Sequence, residues 1–143
     1  MKKILVGVIL IIALVMSFYV VLKKPELTPV NNIENNNLDL IHLDSDTTIA
    51  QNLCQERNLE GKVIVIKKNY CSACNIVVPL FEELEQELDM DFIFLNLSEK
   101  DDLERVKDEF GLAPHYTPTV LIGCKVYVGA YSKQEYETFI KNM

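Results

Sequence analysis

Residues 62–66, Lys-Val-Ile-Val-Ile, form a short apolar, β-branched run that reads as a buried strand. Over residues 75–88 the period changes. Ile76, Val77, Leu80, Phe81, Leu84 and Leu88 recur at helical spacing, while Glu82, Glu83, Glu85 and Glu87 occupy the other face. That pattern predicts a helix with a solvated acidic side. Upstream, residues 38–43 read as a first short strand, and Asp44 or Asp46 is placed to cap a helix running to about Asn58. Ile49, Ala50 and Leu53 would line its inner face, and Gly61 ends the connection. Downstream, residues 91–97 predict a strand. Ser98 with Asp101 predicts a helix start, and Gly111 a C-cap after Phe110. Residues 120–122 and 125–130 predict two strands turning at Gly123-Cys124-Lys125. Ser132-Lys133-Gln134-Glu135 predicts a capping box for a last helix ending near Asn142. The order β-α-β-α-β-α-β-β-α predicts an α/β domain, a central mixed β-sheet flanked by helices on both faces.

Ahead of this domain, residues 4–22 are apolar and uncharged, with Lys2, Lys3 and Lys23, Lys24 at the two ends. As a helix the run spans about 28 Å, close to one bilayer core. A cleaved signal peptide is the alternative. Its apolar region is usually about 7–15 residues and ends at a small-residue site, which Met16-Ser17-Phe18-Tyr19 does not supply. Residues 1–24 are therefore expected to form a single-pass N-terminal transmembrane helix, a signal-anchor. The amine with Lys2 and Lys3 outweighs Lys23 and Lys24 by one charge, which orients the C-terminal domain outside the cytoplasm. Residues 25–37 hold Pro25, Pro29 and an Asn-rich tract, with little to bury, and read as a linker. Residues 38–143 form the folded domain.

Across 143 residues the net charge is −7, which argues against a nucleic-acid partner. The candidate chemistry is Cys71-Ser72-Ala73-Cys74, set where a strand ends and a helix begins. A helix N-terminus offers free N–H groups and partial positive charge, which favour a thiolate. The first cysteine of such a motif has its pKa lowered from about 8.5 into roughly the 3.5–7.5 range. Cys71 would be that exposed sulfur, and Cys74, one turn in, lies close enough to close a disulfide with it. Zinc sites usually need two close ligand pairs, whereas Cys54, Cys124, His42 and His115 each stand alone. No metal and no cofactor is expected.

The junction resembles the thioredoxin superfamily over residues 38–142. Pro79 falls five residues after Cys74, inside the predicted helix, and Thr117-Pro118-Thr119 leads into an apolar strand. The resemblance implies a thioredoxin-like fold with the cis-proline loop at Pro118 beside the disulfide. It also implies thiol–disulfide oxidoreductase activity. Cys71 and Cys74 would be the redox-active pair, and Thr117 with Pro118 would shape a groove for an extended substrate segment. The partners implied are protein thiols and disulfides and a redox-resetting partner, possibly a membrane protein. Three features depart from the family. Tyr70 stands where tryptophan is usual. Val65 stands in a strand that usually holds a buried acid. Ser72-Ala73 is neither Gly-Pro nor Pro-His. The redox potential, which in the family runs from about −270 to −120 mV, is therefore left open.

Other residues carry two readings each. Cys54, in the helix before the central strand, and Cys124, in the last strand turn, both fall at the pole opposite the active site. They either form a structural disulfide or remain two buried thiols. Lys67 and Lys68 either favour the thiolate or are solvated. His115, two residues before Thr117, either borders the cleft or sits in a surface loop; His42 reads as structural. Asn96-Leu97-Ser98 matches a glycosylation sequon at a strand end and reads as chance. The expected function is a membrane-tethered oxidoreductase acting on extracytoplasmic protein substrates. The alternatives are a metal-binding or a redox-inactive thioredoxin-fold interaction module.

Overall fold

The structure is a computed structural model and describes residues 40–143. The anchor expected at residues 4–22, the linker at 25–37 and the start of the first strand lie outside the described residues. No helix among the described residues is long and apolar enough to cross a membrane.

The domain is built on strand β3 (Val63–Lys67), whose first four residues are fully buried. Alternation along it feeds two cores. Val63 and Val65 pack with Val77, Phe81, Leu84, Tyr136 and Ile140 on one face. Ile64 and Ile66 pack with Cys54, Leu59, Val106 and Phe110 on the other. A strand covered on both sides reads as an unbroken apolar run, because neither set of side chains meets water. β4 (Phe92–Asn96) pairs with it in parallel, Val63 opposite Phe92. β6 (Thr119–Ile122) pairs on its other edge, antiparallel, with Ile66 opposite Thr119. β7 (Lys125–Val128) returns beside β6 through the Gly123-Cys124 turn, where Gly123 takes φ +58°. The sheet order is β2 (Thr47–Thr48), β7, β6, β3, β4, mixed as expected.

Helix α2 (Cys74–Leu88) buries Val77, Phe81 and Leu84 at spacings of four and three. Ile76, expected on that inner face, is 64% exposed. It lies one position off the stripe with Leu80; Leu80 stays half-buried, whereas Ile76 projects from the first turn. Helix α4 (Lys133–Lys141) starts with the expected capping box. The Glu135 N–H donates to Ser132 Oγ, and the Ser132 N–H donates to Glu135 Oε2 at 2.8 Å.

The N-terminal part differs from expectation. β1 is Ile41–Leu43, but no helix begins at Asp44 or Asp46. Thr47–Thr48 instead form an edge strand, β2, antiparallel to β7. Asp46 completes that edge by accepting the Val128 N–H at 2.7 Å and the Tyr131 hydroxyl. The Tyr131 pKa is pushed up to about 12, chiefly by that bond to Asp46. Helix α1 is only Gln51–Glu56, with Ala50 as an exposed N-cap, and Cys54 is its buried residue.

The third helix is also revised. α3 (Lys100–Glu104) is capped by Glu99, not Ser98, and continues as a π-helical turn, Arg105–Glu109. Gly111, at φ +64°, reverses the chain, and the Arg57 guanidinium lies within 2.6 Å of where a Cβ would stand. The reversal starts a strand the periodicity does not predict. β5 (Leu112–Pro114) pairs in parallel with β1, Ile41 opposite Leu112, as a separate two-stranded sheet. With these two additions the element order and the layering are those of a thioredoxin-like α/β fold.

Candidate active site

β3 delivers the chain to the loop 68–73 at its C-terminal end, and Asn69 ties that loop to the end of the parallel neighbour β4. The Asn69 N–H donates to Ser98 Oγ at 2.9 Å, and Asn96 Nδ2 donates to Asn69 Oδ1 at 3.0 Å. Tyr70 takes the left-handed conformation, φ +60°, and its side chain stands fully in solvent. Asn69, Asn96 and Ser98 are site-supporting residues that the sequence reading missed. The available signal was that both polar segments end neighbouring parallel strands, where α/β folds place their crevices.

Cys71 and Cys74 are joined by a disulfide, with Cα atoms 5.2 Å apart. Cys71 is 8% exposed and Cys74 3%. The Cys74 N–H, at the mouth of α2, donates to Cys71 Sγ at 3.1 Å. The first turn of α2 contains no acidic residue to oppose negative charge there. Once Cys71 is reduced, its sulfur therefore meets a fixed N–H donor and the positive end of a 15-residue helix.

The pairing of Ile66 with Thr119 brings the Thr117–Pro118 segment alongside. The Thr117–Pro118 bond is cis. Thr117 O lies 3.4 Å from Cys71 Sγ, close enough to accept from its S–H in the reduced form. Pro118 is buried, and its carbonyl accepts the Gly129 N–H at 2.9 Å. Thr119 Oγ1 donates to Tyr116 O at 2.7 Å, which fixes the turn into β6. Thr117 Oγ1 is buried with no hydrogen-bond partner. Three of the large exposed hydrophobic residues, Tyr70, Ile76 and Tyr116, adjoin these segments in sequence.

His115 does not face the disulfide. Its Nδ1 pairs with the Asp44 carboxylate, and its ring stands 5.8 Å from that of His42, across the β1–β5 sheet. No group of three or more metal-ligating side chains gathers among the described residues.

At the far end of β6, roughly 13 Å of strand away, Cys124 is joined to Cys54 with Cα atoms 5.6 Å apart. Cys54 is fully buried, and the Cys124 carbonyl accepts the Ile49 N–H at 2.8 Å. This bond ties α1 to the β6–β7 turn.

A Cys-x-x-Cys at a strand-to-helix junction, with a cis-proline leading an antiparallel strand beside it, is the arrangement that the resemblance to the thioredoxin superfamily leads one to expect. No family model matches the chain, and neither does any curated protein sequence. Among solved structures, it is similar to mitochondrial thioredoxin 3 from Saccharomyces cerevisiae in its oxidized form. The two are 20% identical over 73% of this chain and 95% of that one, with a TM-score of 0.43. A chain from a study of the thiol resolving mechanism of yeast mitochondrial 1-Cys peroxiredoxin via glutathione/thioredoxin systems is 18% identical. That match covers 73% of this chain and 95% of that one, with a TM-score of 0.44. A thioredoxin of Malassezia sympodialis is 19% identical over 72% of this chain and 89% of that one, at 0.42. Likenesses this distant carry no statement about activity, and the reading of the site rests on its own geometry.

Proposed function

We propose that the protein is a thiol–disulfide oxidoreductase, tethered to a membrane by residues 1–24 and exchanging disulfides with extracytoplasmic proteins. The observation that carries the chemistry is Cys71 Sγ, held 3.1 Å from the Cys74 N–H at the helix mouth and bonded to the neighbouring sulfur. In the oxidising direction, a substrate thiolate attacks Cys71 Sγ and the Cys71–Cys74 bond breaks. Cys74 leaves with the electron pair and takes up a proton. A second substrate thiolate then attacks the substrate sulfur of the mixed disulfide, and Cys71 leaves as the thiolate its N–H donor stabilises. Two electrons pass from substrate to protein. The reducing direction is the same path reversed, with Cys74 attacking Cys71 Sγ to release the substrate. Thr117 and Pro118 border the attacked sulfur and are placed to hold an extended segment by its backbone.

The exposed Tyr70, Ile76 and Tyr116, next in sequence to the Cys71–Cys74 and Thr117–Pro118 segments, support a polypeptide substrate. The apolar run 4–22 with its lysine flanks supports the tether, and the tract 25–37 supports a spacer before a domain at 38–143. The second cysteine pair supports an oxidising compartment, where Cys54–Cys124 serves as a structural staple. A turnover cycle then requires a redox partner, in or near the membrane, to reset Cys71 and Cys74. Redox titration of this pair, together with metal analysis of the purified protein, tests the reading. A reversible two-electron couple without bound metal is expected. A pair that does not titrate, or that holds zinc, would overturn it. Protease added to spheroplasts should remove residues 38–143; protection until the membrane is opened would reverse the orientation.

A further inference from the structure

The redox pair has a charged neighbour that the exchange chemistry does not use. Beside Cys74 lies a cavity of about 510 Å³, lined by Lys67, Lys68, Asn69, Tyr70 and Asn75 among others. Its size is that of an ordinary ligand pocket. The charged groups lining it are the two lysines. Neither forms an ion pair with any described residue, which holds also for Lys62, Lys107 and Lys125, whereas Lys133, Lys141, Lys100 and Arg105 are paired. Lys67 is half-buried at the end of β3, so part of its stem is already fixed. Asn69, next to Lys68 in the lining, is held as well, because it is bonded to Ser98 and Asn96. No acidic side chain lines the cavity, and three on α2 and α3 have partners of their own. Asp102 accepts the Asn96 N–H at 2.8 Å, and Glu83 and Glu87 bind Lys133 at 2.9 and 2.8 Å. In a chain of net charge −7, the charged side chains lining this cavity next to the redox pair are both cationic.

We propose that Lys67 and Lys68 form a specificity subsite that takes an acidic side chain of the substrate polypeptide. On this reading the protein favours cysteines flanked by Asp or Glu. The inference rests on the oxidoreductase reading above and names its substrate class. A substrate sulfur bonded to Cys71 lies beside Cys74, which forms part of the cavity wall. An extended chain advances about 3.3 Å per residue, so a side chain one or two positions from the reacting cysteine reaches the lysines. Both lysines line the cavity without an ion-pair partner among the described residues, so each is free to take a carboxylate with the modest gain of a surface pair. The oligoanion alternative, nucleic acid, is opposed by the long-range field of a chain this acidic.

The test uses the reduced full-length protein in detergent and three disulfide peptides of one sequence, with Glu, Gln or Lys beside the reacting cysteine. Each exchange rate is divided by that of the same peptide with a small dithiol, which cancels the peptide's own reactivity. The Glu peptide is expected to react about two- to fivefold faster than the Gln peptide at low ionic strength, and the Lys peptide slower than both. At about 1 M salt the three should converge. The Lys67→Gln/Lys68→Gln variant should bring the Glu-to-Gln ratio close to one, and the Lys67→Arg/Lys68→Arg variant should restore it. Because the readout is a ratio on one protein, any effect of the lysines on Cys71 reactivity drops out. Equal rates on all three peptides overturn the subsite alone, as does a preference that survives the double Gln variant. No exchange with any peptide overturns the oxidoreductase reading and the subsite with it.

Discussion

Replacing both distal cysteines, Cys54→Ala with Cys124→Ala, should destabilise the domain far more than its small change in volume implies. The bond spans a sequence separation of 70 residues. The chain-entropy relation for a loop of that length gives about 4.4 kcal/mol at 25 °C, the freedom that the cross-link removes from the unfolded chain. Measured values usually fall to about 2–4 kcal/mol, because unfolded chains keep residual structure. Cys54 adds a packing loss, since it is fully buried among Ile49, Leu59 and Phe110. The relevant assay is urea unfolding of oxidised residues 38–143 with Cys71–Cys74 intact in every sample. A loss of about 2–4 kcal/mol is expected, with a steeper denaturant slope, because an unfolded chain without the staple exposes more surface. In thermal unfolding this corresponds to a drop of at least about 10 °C for a domain of this size. The single Cys54→Ala variant should lose nearly as much as the double, which separates the cross-link from Cys124 packing. The same relation gives only about 1.6 kcal/mol for Cys71–Cys74, whose separation is 3 residues. A double variant within about 0.5 kcal/mol of wild type, with an unchanged slope, would refute the staple, because that is the range of a neutral surface change.

Two other perturbations probe the packing behind the site. Tyr136 is fully buried; its hydroxyl donates to Gly129 O at 3.0 Å and accepts the Tyr131 N–H, and burial pushes its pKa up to about 12. Tyr136→Phe keeps the ring against Phe81 and strands both backbone groups, so denaturant unfolding should show a loss of about 1–2 kcal/mol. The Ser132 N–H and hydroxyl hold the Glu135 carboxyl below its ordinary pKa. A lowered folded-state value means this stabilisation is present above the unfolded carboxylate range and is lost as pH falls through the folded value. Glu135→Gln should therefore be less stable than wild type near neutrality and converge with it in acid, read from unfolding midpoints against pH; a gap constant with pH would contradict the assignment.

Much of this architecture is legible in the sequence where the determining contacts are local or repetitive. The Val63–Ile66 run, the Val77–Phe81–Leu84 stripe and the Ser132–Glu135 box each carry their own signal over a few residues. So does the site's frame, because a strand, a Cys-x-x-Cys and a helix follow one another directly. Two misreadings share one cause. Asp46 and Ser98 are polar residues with good local capping chemistry, but their partners lie far along the chain. Asp46 binds Val128, 82 residues away, and Ser98 accepts from Asn69, 29 residues away. A propensity argument assigns such side chains to the nearest helix end, and tertiary pairing overrides it. β2 and β5 escape notice for a related reason. Two or three residues carry no periodicity, and each strand exists only through the edge it pairs with. The Cys54–Cys124 pair lies between these cases. Strand direction puts both cysteines at one pole, but only the position of α1 over the β6–β7 turn brings their Cα atoms to 5.6 Å.

The central claim is that Cys71 is the attacked and attacking sulfur and Cys74 the resolving one. The most direct measurement is trapping of mixed disulfides in cells that produce each single variant at matched levels. Cys74→Ser should accumulate covalent complexes with substrate proteins, cleaved by reductant, because Cys71 retains its N–H donor and nothing remains to release the substrate. Cys71→Ser should trap little, since the remaining sulfur is the more deeply buried one, 3% exposed. Complexes that form with Cys71→Ser but not with Cys74→Ser, or with neither variant, would contradict the account.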